Sequence, residues 1–104
     1  MSLFFLQYFR MMHNVHDFKK LFPLQYGENN PILRKKSQTV QNINQDIKTL
    51  AKALQSLMRE YDGVGLAAPQ IGHNFRVIAV SQRDTSKKQR ELEDDFVMIN
   101  PTII

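Results

Sequence analysis

The chain contains no cysteine and no tryptophan, and it has only four glycines and four prolines in 104 residues. The missing cysteine excludes a disulfide framework, a thiolate zinc site, a cysteine nucleophile and an iron–sulfur cluster. No apolar run approaches the roughly 20 residues that a membrane-spanning helix needs. No G-K-[ST] triplet occurs, which excludes a Walker phosphate loop. What is there is 42% hydrophobic and 23% charged, a balance that suits a globular chain rather than a disordered one. The length leaves room for one small domain, or for a piece of a larger one.

The net charge of +4 is unevenly spread. Residues 1–52 carry eight Lys/Arg against three Asp/Glu, and residues 53–104 carry six against seven. The one tight basic run is Arg34, Lys35 and Lys36. Three adjacent cations form a solvated loop and do not make a nucleic-acid site. Residues 1–20 differ in composition from the rest. Leu3 to Leu6 is too short for the core of a signal peptide, and no basic region precedes it. The segment reads as an N-terminal extension, from an upstream start codon or disordered, with an organelle presequence as the alternative. His13 and His16 form an H-x-x-H pair with no evident third metal ligand, and they read as surface histidines. His73 follows a glycine and is expected to face solvent.

The periodicity predicts a helix over residues 43–61. Ile43, Ile47, Leu50, Ala51, Leu54, Leu57, Met58 and Tyr61 form one stripe, with Gln45, Asp46, Lys48, Lys52, Gln55 and Arg59 on a wet face. Asn42 is the expected cap, Gln45 its capping-box partner and Gly63 the stop signal. Residues 21–26 are a short apolar stretch running into a turn cluster at 27–31, after which Ile32 and Leu33 lead into the basic loop. Residues 75–82 are β-rich, and the run Val77 to Val80 suits a strand covered on both faces. Residues 83–95 hold nine charges in thirteen positions and read as a solvated hairpin connection. Phe96 to Ile99 is a second strand closed by Asn100-Pro101, and residues 102–104 begin a segment expected to be cut off in mid-sheet. No internal repeat or low-complexity segment is present.

Three of the four glycines fall within residues 63–72, GVGLAAPQIG. Gly63, Gly65 and Ala68 match the spacing of the dinucleotide fingerprint, but that fingerprint needs a strand before it and a helix after it. Here a helix precedes, Pro69 interrupts and a strand follows, so dinucleotide binding is rejected. Glycines let a backbone approach a ligand closely. A glutamine such as Gln70, stiffened by the preceding proline, can donate an amide N–H to a developing oxyanion. A plain helix-to-strand connection with Gln70 on the surface has the same spacing.

The string GVGLAAPQIG resembles the first signature of the peptide deformylases, G-x-G-L-A-A-P-Q-x-G, at every fixed position. The flanks resemble the family as well. Leu24 to Gly27 and Asn30 to Arg34 are similar to its opening strand and turn, helix 43–61 to the helix before the signature, and Arg76–Val80 and Met98–Pro101 to the strands after it. The likeness covers residues 21–104. It implies an α+β fold, an amphipathic helix packed on antiparallel strands, incomplete without the C-terminal metal-binding helix. It implies metal-dependent removal of the formyl group from the N-terminal formyl-methionine of new polypeptides, a hydrolase activity tied to translation. By the match, Gln70 stabilises the oxyanion, the Gly63-Val64-Gly65 backbone pairs with the substrate peptide, and Val64 and Gly65 line the methionine pocket. The implied cofactor is a divalent metal, iron(II) or zinc, and the implied location is the cytoplasm, or an organelle if residues 1–20 are a presequence.

The family's metal ligands are a cysteine in E-G-C-L-S and the two histidines of an H-E-x-x-H helix, whose glutamate moves the proton. Neither motif occurs in this sequence. The expectation is therefore that the 104-residue polypeptide alone binds no catalytic metal and releases no formate. The alternatives are a non-catalytic deformylase-like product, a binding module near the ribosome, or a small α+β domain with a coincidental loop. The expected partner is an N-formylmethionyl peptide, with no membrane and no specific nucleic acid.

Overall fold

The computed structural model of the protein describes residues 15–82 and 95–104. His13, the side chain of His16 and most of the charged connection at 83–94 lie outside the described residues. The described elements run in the order α1 (Val15–Leu21), α2 (Pro31–Arg34), α3 (Gln45–Glu60), β1 (Gly65–Ala67), a 3-10 helix (Ala68–Ile71), β2 (Val77–Ser81) and β3 (Asp95–Ile99). The three strands form an antiparallel sheet in the order β1-β2-β3. This is the α+β arrangement expected from the sequence, a helix laid on antiparallel strands.

α3 is the central element. Its apolar stripe buries Ile47, Leu50, Ala53, Leu54, Leu57 and Met58 against Val77 and Ala79 of β2, Leu66 of β1, and Phe18 and Phe22. Full burial of side chains of this size contributes roughly 1.5–3 kcal/mol each. Propensity alone would not hold a 16-residue helix in water, so the sheet and α1 are what keep it formed.

The ends of α3 differ from the sequence reading. The cap is Asn44 rather than Asn42: its side chain accepts the Ile47 N–H at 3.0 Å. Ile43 therefore lies outside the helix and is 60% exposed. At the C-terminus the left-handed residue is Asp62, with φ of 51°, and not Gly63. The Gly63 N–H instead closes on the Met58 carbonyl at 2.9 Å, satisfying a terminal acceptor of the helix. Asp46, assigned to the wet face, is buried in the first turn, where a carboxylate complements the helix dipole.

Other expectations are also corrected by packing. α1 places Phe18 in the core, and Phe22, one residue past its end, is buried there as well. Lys19 of α1 pairs with Glu60 at the end of α3 at 2.7 Å. Residues 31–34 form one helical turn, α2, capped by Asn30, where a loop was expected. β2 buries Val77 and Ala79, while Ile78 and Val80 on its other face are only half-buried. Asp95 is not part of a solvated connection. It is the first residue of β3, its side chain is buried, and Arg59 of α3 donates to it through Nε.

Asn100 fastens the end of β3. Its φ of 55° is left-handed, a region that asparagine tolerates. Its side-chain oxygen accepts the Val40 N–H at 2.8 Å, and its amide nitrogen donates to the Val40 carbonyl at 2.9 Å. Its own N–H bonds the Arg76 carbonyl at 2.8 Å. One side chain thus ties residue 40 to the end of the sheet.

Candidate functional site

Residues 63–72 are expected from the sequence to be a loop, and the structure divides them. Gly65, Leu66 and Ala67 form β1, and Ala68 to Ile71 form a 3-10 turn with Pro69 in its first positions. Leu66, Ala68 and Ile71 are buried and anchor the segment to the core. Gly72 ends the turn with φ of 87°, a conformation that strains any residue with a side chain. Small residues at 67 and 68 let the segment lie close under α3.

The register fixes which backbone groups face outward. Gly65 stands opposite Val80, Leu66 opposite Ala79 and Ala67 opposite Ile78. The Ser81 N–H bonds the Val64 carbonyl at 2.9 Å. In an antiparallel ladder this makes Gly65 and Ala67 the non-hydrogen-bonded positions. Their N–H and C=O groups turn away from β2, toward the outer edge of the sheet. β1 is an edge strand among the described residues.

Gln70 reaches back to that edge. Its Oε1 accepts the Ala67 N–H at 2.9 Å. Because the partner is a donor, the side-chain oxygen must face it, and the Nε2 group is the end that can donate elsewhere. Gln70 is exposed, and its main-chain carbonyl accepts the Gln25 N–H at 2.8 Å. The glutamine is thus held at both its side chain and its backbone. Val64, just before β1, is 61% exposed, and Gly65 is exposed as well. Neither Gly63 nor Gly65 has a left-handed φ, and a Cβ at either would meet nothing nearer than 3.6 Å. The chain's own packing therefore does not demand glycine at these two positions.

All four sequence-predicted site residues lie on this one segment: Gly63, Val64 and Gly65 lead into the edge strand, and Gln70 folds back onto it. The bond from Gln25 was not legible, because no local pattern joins two segments so far apart in the chain. His73 is corrected. It is half-buried, its ring stands 4.9 Å from that of Phe22, and burial holds its pKa below the usual histidine value. A cleft lined by Gln38, Val40, Asn42, Asn44, Ile47 and Phe75 includes none of residues 63–72.

No group of three or more His, Cys, Asp or Glu side chains stands together among the described residues. The donor set of the described residues does not fit a divalent metal site. No helix among the described residues is long and apolar enough to cross a membrane.

Residues 24–104 match the family model for polypeptide deformylase. The chain is 39% identical over 74 residues to a peptide deformylase of Dictyoglomus thermophilum, covering 71% of this chain and 42% of the relative. It is 42% identical over 85 residues to one from Endomicrobium trichonymphae, covering 82% of this chain and 46% of the relative. The fold is similar to the crystal structure of a peptide deformylase from Legionella pneumophila, with a TM-score of 0.64 and 30% identity, over 81% of this chain and 46% of that one. The chain thus spans less than half the length of these relatives. The match runs through the capped helix, the glycine-rich edge strand and the strands behind it, and by it this chain belongs to the peptide deformylase family.

Proposed function

We propose that the edge of β1 and the amide of Gln70 form the peptide-binding and oxyanion-stabilising part of a deformylase site. The reaction is hydrolysis of the N-terminal formyl amide of a formyl-methionyl peptide. Water oxygen adds to the formyl carbon, the C–N bond breaks, the freed amine takes a proton and formate leaves. In this reading the substrate lies along β1 and bonds the outward N–H and C=O of Gly65. Val64 and Gly65 border the methionine side chain, and glycine at 65 lets the substrate backbone come close. The Gln70 Nε2 donates to the formyl oxygen, and the bond strengthens as that oxygen gains charge. Losing one such donor typically lowers a rate by about 10²–10³-fold.

The observation that carries this reading is the Ala67–Gln70 hydrogen bond. It holds the Gln70 side chain at the same edge as the outward groups of Gly65, which supports reading the two as one preorganised donor and peptide ladder. The peptide deformylase family uses a divalent metal, iron(II) or zinc. The described residues offer no ligand set for it, and the contribution read from this chain is binding and orientation. The cytoplasm as the place of action follows from the same reading, as does a nascent-chain substrate.

The test is a titration of the isotope-labelled chain with formyl-Met-Ala-Ser, followed by NMR. Shifts confined to residues 63–67 and the Gln70 side-chain amide are expected, with Met-Ala-Ser lacking the formyl group leaving the Gln70 amide in place. Equal shifts at Gln70 with both peptides, or none with either, would overturn the reading.

A further inference from the structure

We propose that Asn30 is a positioning residue for Gln70, acting through Gln25 and α2. The inference rests on the oxyanion role proposed above for its functional meaning, while its geometry stands alone. Asn30 uses every polar group it has. Its Oδ1 accepts the Ile32 N–H at 2.9 Å and caps α2. Its Nδ2 donates to the Gln25 Oε1 at 3.1 Å and to the Tyr26 carbonyl at 3.2 Å. Its own N–H closes the turn on Gly27 at 3.2 Å, and Gly27 has φ of 95°, which favours glycine.

Two routes lead from this hub to Gln70. The first runs through Gln25. With Oε1 held by Asn30 and Nε2 donating to the Pro23 carbonyl at 3.1 Å, the Gln25 side chain has one orientation. That side chain lies over Gly72, its Nε2 being 3.5 Å from where a Cβ on Gly72 would sit. Its backbone N–H then donates to the Gln70 carbonyl at 2.8 Å. The second route is α2 itself, which packs against the 3-10 turn carrying Gln70. A turn of four residues has little rigidity of its own. Its placement depends on what it leans against, and here that is the segment organised by Asn30.

The experiment separates capping from clamping. Asn30→Ser keeps an oxygen acceptor for the Ile32 N–H, and serine is a good cap, but it removes the Nδ2 donor. Gln25→Met removes the acceptor from the other side and leaves the Gln25 backbone N–H in place. Hydrogen exchange is measured residue by residue in the full chain, together with the chemical shift of the Gln70 side-chain amide. In both variants the Gln25 and Ala67 N–H groups are expected to exchange about tenfold faster, the effect of one weakened hydrogen bond, while Leu54 in the core keeps its protection. The Gln70 amide signal should move in both. Exchange at Gln25 and Ala67 within twofold of the parent in either variant, or a loss that is uniform and includes Leu54, overturns the proposal. The formyl-peptide titration of the parent chain is scored separately. If it fails, the oxyanion role falls, and the coupling of Asn30 to Gln70 is still judged by exchange alone.

Discussion

Gln70 accepts the Ala67 N–H through its side-chain oxygen at 2.9 Å, across three residues of the same turn. The bond holds a flexible side chain against β1, the edge strand among the described residues. It also separates two things a substitution can remove: the acceptor that holds the turn, and the N–H groups that face outward.

Gln70→Glu retains an oxygen for Ala67 and loses the outward donors. Affinity for formyl-Met-Ala-Ser is expected to fall about five- to tenfold, the worth of one net hydrogen bond. The melting temperature should stay within about 2 °C of the parent, because the site is exposed and the Ala67 bond survives. NMR titration and thermal denaturation check the two halves of this expectation.

Asn100 carries both a strained backbone and two bonds to Val40. Asn100→Gly removes the bonds and relieves the strain, for an expected loss of about 1–2 kcal/mol. Asn100→Ala removes the bonds and keeps the left-handed φ, for an expected loss of about 2–4 kcal/mol. Urea denaturation of the pair should rank glycine above alanine. The reverse order would mean that the strain is not held in the folded chain.

Ile43 and Leu54 belong to one apolar stripe in the sequence, and the fold separates them. Leu54 is fully buried and Ile43 is 60% exposed. Leu54→Ala should cost about 2–5 kcal/mol, since it leaves a cavity between α3 and the sheet. Ile43→Ala should change stability by less than about 0.5 kcal/mol. Denaturant midpoints of the two variants decide this.

His73 gives the chain an acid sensitivity of definite sign. Burial disfavours its imidazolium, so its folded pKa lies below the unfolded value of 6.5. The unfolded chain then binds the proton more readily than the folded one, and folding is opposed wherever that proton is taken up. The stability associated with neutral His73 is complete above pH 6.5 and is lost as pH falls toward the folded pKa. Melting temperature should therefore drop as pH falls below about 6.5, and the drop should be smaller in His73→Phe, which keeps a ring against Phe22 and cannot titrate.

What the sequence determined by itself was what local pattern can carry. The stripe from Ile47 to Met58 wrote α3, because a 3.6-residue period needs no knowledge of the partner surface. The β-branched run at 77–80 wrote β2, and GVGLAAPQIG placed the candidate site and the family. Tertiary structure decided everything that rests on two distant segments meeting. Asp46 and Asp95 read as surface charges, yet one is buried at the start of α3 and the other is buried beside Arg59. His73 reads as a loop residue, yet the ring of Phe22, one residue past the end of α1, packs 4.9 Å from its own. The outward turn of Gly65 and Ala67 follows from the register of β1 on β2, and a slip of one residue would reverse it. The hold of Gln25 on Gln70 follows from how residues 22–32 settle against the 3-10 turn. Periodicity belongs to one segment at a time, whereas burial, register and hydrogen-bond partners belong to pairs of segments, and only packing chooses the pairs.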